Sequence, residues 1–188
     1  MPSPLAHGVT GYVIAKVARS VLQQRSRPSS LLSQSASQPA ASWKIAAYGV
    51  GMAIAADFDF VLQWITGEQS HRGMTHSLLF CLAVGAIAGI IGYCCDRPRT
   101  RHWMTLTLLI YGSHLVLDFV TQSRIGIPLL WPLPWRFQSP IPLFPSVRHW
   151  EGWLHPSHLL FLSVESLYSL VLLQQVKTRL QTDQNYKG

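Results

Sequence analysis

The sequence predicts an all-α fold, an integral membrane helical bundle of four to five spans, and three observations carry that expectation. Of 188 residues, 48% are hydrophobic and only 12% are charged. An ordinary soluble domain carries about 25% charged residues, so lipid has to cover much of this surface instead of water. The apolar residues fall into runs of spanning length, separated by polar or proline-rich stretches. Finally, the fifteen Lys and Arg residues sit between the apolar runs, where membrane insertion leaves them. The net charge of +7 is therefore assigned to membrane topology, and nucleic acid is not expected as a partner; the bilayer is.

A spanning helix needs about 20 predominantly apolar residues. Trp43 to Ile65 qualifies, with Asp57 and Asp59 near its end. Met74 to Cys95 is the cleanest run, Trp103 to Val120 follows, and Ser157 to Val176 is rich in Leu and Val. Leu5 to Leu22 is a weaker fifth candidate because it contains Lys16 and Arg19, and an amphipathic helix at the interface is its alternative. A basic leader before that apolar run is missing, so no cleavable signal peptide is expected. Cys81, Cys94 and Cys95 all lie within one apolar run. They make neither a disulfide framework nor a CxxC spacing and are read as packing residues.

The whole chain, 1–188, is expected to be one membrane-embedded domain. Residues 25–42 read as a flexible polar loop, and 177–188 as a polar tail. Residues 124–156 hold too many prolines for a long helix, and Trp131, Trp135, Trp150 and Trp153 suit a segment lying at the membrane interface. With five alternating spans, one face collects eleven of the Lys and Arg residues and the other only four: Arg72, Arg124, Arg136 and Arg148. By the positive-inside rule the first face is cytoplasmic.

The polar residues then gather on the opposite, non-cytoplasmic side. His7 opens the first segment, and Asp57 and Asp59 end the second. His71, Arg72, Thr75 and His76 precede or open the next, and His114 and Asp118 lie in the last turns of the fourth. An Asp at the centre of a membrane helix costs about 2.5–3.5 kcal/mol. Several near one depth need partners, and a divalent metal satisfies them together. His114 and Asp118 are four apart and share a helical face, which suits two ligands on one cation or a His oriented by a carboxylate. Asp57 and Asp59 are two apart and share no regular face, so either the helix breaks there or only one of them is a ligand. Imidazole and carboxylate without thiolate favour zinc, manganese or iron, with zinc or manganese foremost. Candidate metal ligands are His7, Asp57, Asp59, His71, His76, His114 and Asp118; spacing leaves one ion or two open. Asp57 or Asp59 is a candidate general base, and Arg72 suits an anionic substrate group or lipid headgroups. Thr75 and Ser77 are candidate caps of a helix starting at Met74. His102, His149, His155 and His158 are read as interfacial or solvated.

At HRGMTHS (His71 to Ser77) and HLVLDFVTQSRIGIPLLWP (His114 to Pro132), the chain resembles the YdjM-type, LexA-binding, inner-membrane-associated metal-dependent hydrolases of bacteria. That family's pattern is an early His, an Asp-x-Asp segment, HRGxTHS, then HxxxD with a following Gly and a Leu–Pro stretch. All occur here in order from His7 to Pro132, about two thirds of the chain. Where the family reads Pro-Asp-x-Asp-His, this chain has Ala56 and Phe60 at the flanks. The resemblance implies a bacterial inner-membrane location and a metal-dependent hydrolase. Lying in a membrane, it would act on a lipid-linked or amphiphilic ester or phosphoester. A metal or proton transporter is the first alternative, since intramembrane His and Asp also line ion pathways. An interaction factor with a structural metal is the second; no protein partner is readable.

Overall fold

The computed structural model describes residues 3–25, 39–67, 72–121, 125–143 and 156–185. Among these, six α-helices carry the fold: α1 Pro4–Arg25, α2 Pro39–Ile54, α3 Asp59–Thr66, α4 Leu78–Cys95, α5 Thr100–Phe119 and α6 Pro156–Asn185. No strand is formed among the described residues; an isolated bridge joins Ile127 and Phe137. The all-α membrane bundle is thus the observed class.

Among the described residues, three stretches are long and apolar enough to cross a membrane: Trp43–Thr66, Leu78–Cys95 and Pro156–Thr182. This corrects the expectation of four to five spans. Helices α1 and α5, with 22 and 20 residues, have the length but not the composition. Their hydropathy is diluted by residues turned into the bundle: His7 and Thr10 on α1, Thr107, His114 and Asp118 on α5, all buried. The exposed sides of the apolar helices carry the lipid-facing residues. On α4 these include Leu82, Ile87, Ile90 and Ile91, and on α6 Leu159, Leu162, Leu167 and Leu170.

Helix α1 packs against α2, α5 and α6, and α4 packs against α5. The α1–α2 pair touches backbone to backbone. A Cβ at Gly11 would stand 2.2 Å from the Gly49 carbonyl oxygen, and one at Gly49 would stand 2.5 Å from that of Gly11. Small residues permit this approach where lipid removes the hydrophobic drive between helices. Gly85 and Gly89 serve α4 in the same way, facing Leu108 and Met104 of α5. Leu106 and Ile110 of α5 complete this core with Ala15 and Ala53. Cys81 is buried in a second core with Ala56, Tyr111 and Leu115, as a packing residue would be, whereas Cys94 and Cys95 are exposed at the far end of α4.

The boundaries differ from the sequence reading in three places. Helix α4 begins at Leu78, not Met74: Ser77 caps it by accepting from Phe80 N at 3.1 Å, while Met74–His76 form a separate 3-10 turn. Helix α6 continues to Asn185, well into the expected polar tail. Helix α2 begins at Pro39, inside the expected 25–42 loop, whose residues 26–38 lie outside the described residues. The proline-rich loop contains no helix within residues 125–143. It is tied to the bundle where Leu78 N donates to Leu129 O at 2.9 Å and Leu143 N to Val120 O at 2.8 Å.

Candidate metal centre

The second apolar stretch breaks where the two aspartates stand. After Ile54 the chain tightens into a 3-10 turn, Ala55–Phe58, and resumes as α3 at Asp59. The two carboxylates then reach one imidazole from opposite edges. Asp57 Oδ1 lies 3.7 Å from His76 Nε2, and Asp59 Oδ2 lies 3.2 Å from His76 Nδ1. This resolves how residues two apart serve one site: they approach different sides of it.

Asp59 also organises the loop that delivers His76. Its Oδ2 accepts from Arg72 N at 3.0 Å, Gly73 N at 3.4 Å and Thr75 Oγ1 at 2.8 Å. Two successive amides converging on one anion need an unusual backbone, and Arg72 supplies it at φ 61°. A non-glycine residue there carries strain of about 1–2 kcal/mol, which the buried carboxylate offsets. Thr75, a candidate helix cap from sequence, is therefore used on Asp59 instead. Its carbonyl accepts from Tyr111 Oη at 2.8 Å, fastening the loop to α5.

From α5, His114 and Asp118 enter the cluster on one face, as their spacing predicts. His114 Nδ1 donates to the Ala53 carbonyl at 2.7 Å. A carbonyl only accepts, so the proton sits on Nδ1 and the Nε2 lone pair points inward. His76 turns Nδ1 towards Asp59 Oδ2 and Nε2 inward towards Asp118 Oδ2, each at 3.2 Å, so either nitrogen has a carboxylate to share a proton with. The inward atoms lie close together. His76 Nε2 is 3.2 Å from His114 Nε2 and 3.2 Å from Asp118 Oδ2, and His114 Nε2 is 3.5 Å from Asp57 Oδ1 and 3.9 Å from Asp118 Oδ2. His7 stacks on His114 with ring centroids 3.8 Å apart and brings Nε2 to 3.8 Å from Asp118 Oδ1. Arg72 Nη2 reaches that same oxygen at 3.3 Å.

Two triads that could hold a metal ion result, His7/His114/Asp118 and Asp57/His76/His114, each with its nitrogen and oxygen atoms within 4.8 Å of one another. Both use His114, which has only Nε2 to give. Donors at about 2.1 Å from one cation, 90–109° apart, stand about 3.0–3.4 Å from each other, and the shortest separations here fall in that range. Asp57 Oδ1, Asp118 Oδ2 and both ring nitrogens of His7 are buried without a hydrogen-bond partner. Buried polar atoms left without partners call for something to bind. Three carboxylates and one guanidinium leave two negative charges, which one divalent cation balances. The donor set fits a metal.

Of the residues singled out in the sequence, His7, Asp57, Asp59, Arg72, His76, His114 and Asp118 come together; His71 lies outside the described residues. Phe60, which stands where the related pattern has His, is 56% exposed, so its side chain is turned away from the cluster. His102 flanks Trp103, its ring centroid 5.8 Å from the indole. His149 and His155 lie outside the described residues. Glu165 of α6 escaped notice in the sequence and is only 1% exposed. It is the lone carboxylate in an apolar run, and an ionisable residue inside a span is itself a signal.

A helical membrane protein with a buried His–Asp cluster shared among four segments is the class that fold and site define. The chain belongs to the YdjM inner membrane protein family, which matches over residues 1–179. It is 36% identical over 87 residues to inner membrane protein YdjM of Escherichia coli K12, covering 43% of this chain and 41% of that protein. The inner membrane protein YdjM of Shigella flexneri matches to the same extent. Inner membrane protein YbcI of Escherichia coli K12 is 41% identical over 63 residues, covering 33% of this chain and 36% of that protein. The chain thus spans less than half the length of the curated relatives it matches. No solved structure matches it.

Proposed function

We propose that this protein is a metal-dependent membrane hydrolase acting on a lipid-linked or amphiphilic ester or phosphoester, with its site towards the non-cytoplasmic face. The observation that carries the proposal is the pair of inward-facing imidazole nitrogens, His76 Nε2 and His114 Nε2, 3.2 Å apart beside two carboxylate oxygens. Two lone pairs at that distance repel unless a cation or a proton lies between them.

His76, His114, Asp57, Asp118 and His7 would hold the ion, with zinc or manganese best suited to this donor set. Asp59 orients His76 from behind, the arrangement that fixes a ligand's tautomer. When bound, the divalent ion supplies Lewis acidity for ester or phosphoester hydrolysis. Asp57 is the donor that meets water, with 17% of its side chain exposed against none for His76, His114 and Asp118. With Oδ1 turned to the imidazoles, its other oxygen, Oδ2, would be the acceptor for the proton of the attacking water. Arg72 balances Asp118 and retains a buried Nε without a hydrogen-bond partner, a donor suited to a phosphate or carboxylate oxygen. An apolar cavity of about 680 Å³ bordered by Ile14, Leu109, Leu115, Val116, Leu117 and Tyr168 runs beside α5. Its lining is apolar, which suits an acyl chain, and the cluster residues themselves do not border it.

The test is metal content of detergent-purified protein by mass spectrometry, beside a His114→Ala/Asp118→Ala double variant. One equivalent of metal in the wild type, lost in a variant that still elutes as a folded species, supports the centre. No metal in the wild type after zinc and manganese supplementation leaves a proton between the imidazoles, and the metal reading fails. Hydrolysis of long-chain p-nitrophenyl esters and phosphoesters then tests the reaction: an undiminished rate in metal-free protein rules the mechanism out.

A further inference from the structure

One group of buried polar residues that the metal reading does not use lies between α1 and α6. Glu165 is buried in a helix whose neighbouring residues Leu162 and Leu167 face outward, 54% and 65% exposed. One of its carboxylate oxygens accepts the backbone N–H of Ser3, the residue preceding α1. Pro4 follows at the first helical position, where a missing N–H costs nothing. The carboxylate therefore sits at the positive end of the α1 dipole and bonds the free donor there. Three residues further along α6, Tyr168 Oη pairs with Thr10 Oγ1 at 2.8 Å. Thr10 in turn donates to Ala6 O at 2.7 Å, so its hydroxyl is fixed.

These two ties bracket His7. Ser3 lies four residues before it and Thr10 three after, so all three fall on neighbouring faces of the first turns of α1. The ends of the bracket are held by α6, and the residue between them is delivered to α5. His7 needs this support more than the other donors. His76 and His114 have Nδ1 partners, Asp59 and the Ala53 carbonyl, whereas neither ring nitrogen of His7 has a hydrogen-bond partner. The direction of its ring is set by the seat of its helix and by stacking on His114.

We infer that Glu165 is a positioning residue for the metal centre: its carboxylate clamps the start of α1 so that His7 reaches Asp118 and the ion. This rests on the reading of the cluster as a metal site. It assigns α6 a part in the site without contributing a ligand.

The experiment is a double-mutant cycle on zinc affinity in full-length protein in detergent micelles, using Glu165→Leu, His7→Ala, the two combined, and Glu165→Gln. Outer partners of a metal site typically account for 10–100-fold in affinity. Glu165→Leu should weaken zinc binding by about tenfold or more, and by no further factor when His7 is already Ala. Glu165→Gln keeps an acceptor for Ser3 N and should restore most of the affinity; should the Leu variant not fold, Glu165→Asp, a methylene too short to reach Ser3 N, takes its place and should weaken zinc binding likewise. Wild-type affinity in Glu165→Leu, or a Glu165 effect that is undiminished in the His7→Ala background, overturns the clamp while leaving the metal centre standing. Absence of zinc binding in the wild type overturns the metal reading itself, and this inference with it.

Discussion

Asp57 and Asp59 stand two residues apart, yet their removal should have different consequences. Asp59 Oδ2 receives Arg72 N, Gly73 N and Thr75 Oγ1, and faces His76 Nδ1 at 3.2 Å. Asp59→Ala leaves those buried donors unsatisfied and releases the left-handed backbone at Arg72. Hydrogen bonds to a charged group contribute about 1.5–3 kcal/mol each and do not add fully. Removing one partner from a buried charged network costs about 3–5 kcal/mol, so that range is the expected loss in the metal-free protein. For a chain of this length it corresponds to a fall in Tm of roughly 10 °C. Asp57 Oδ1 has no hydrogen-bond partner, and its neighbours are imidazole nitrogens that share its need for a cation. Asp57→Ala should leave the metal-free Tm within a few degrees of wild type while abolishing tight metal binding. Thermal denaturation of detergent-solubilised, chelator-treated protein measures both. If Asp59→Ala melts with the wild type, or Asp57→Ala destabilises the metal-free protein as strongly, the division into organiser and ligand is wrong.

Other outcomes follow from the same geometry. Gly11→Val should prevent α1 from seating on α2, since its Cβ alone would lie 2.2 Å from a carbonyl oxygen, whereas Gly51→Ala has open space and should be silent; yield of folded protein separates them. Phe60→His, which restores the residue of the related pattern, should add no metal affinity because position 60 faces outward; a tenfold gain in zinc affinity would refute that placement. Because imidazole and carboxylate ligands bind in their deprotonated forms, metal affinity should fall as the solution is acidified. A pH-independent affinity, measured by competition with a chelator, would argue against imidazole ligands.

Much of the site was legible in the chain. Low charge and long apolar runs specified a helical membrane protein because a bilayer accepts little else. His114 and Asp118 at helical spacing, the HRGMTHS loop and the paired aspartates marked the cluster because polar groups are costly beside lipid and so are informative where they occur. The number of apolar spans was misjudged for the converse reason: α1 and α5 hide their polar residues inside the bundle, and composition does not register which way a side chain points. Only the tertiary structure separated Asp57 from Asp59, since their difference lies in which edge of His76 each one meets across the 3-10 break. It alone turned Phe60 outward and fixed the inward nitrogens of His76 and His114 through Asp59 and the Ala53 carbonyl. The role of Glu165 was equally invisible, because its partner is a backbone N–H 162 residues away. A sequence names the groups that lipid cannot leave alone, but packing decides which of them meet.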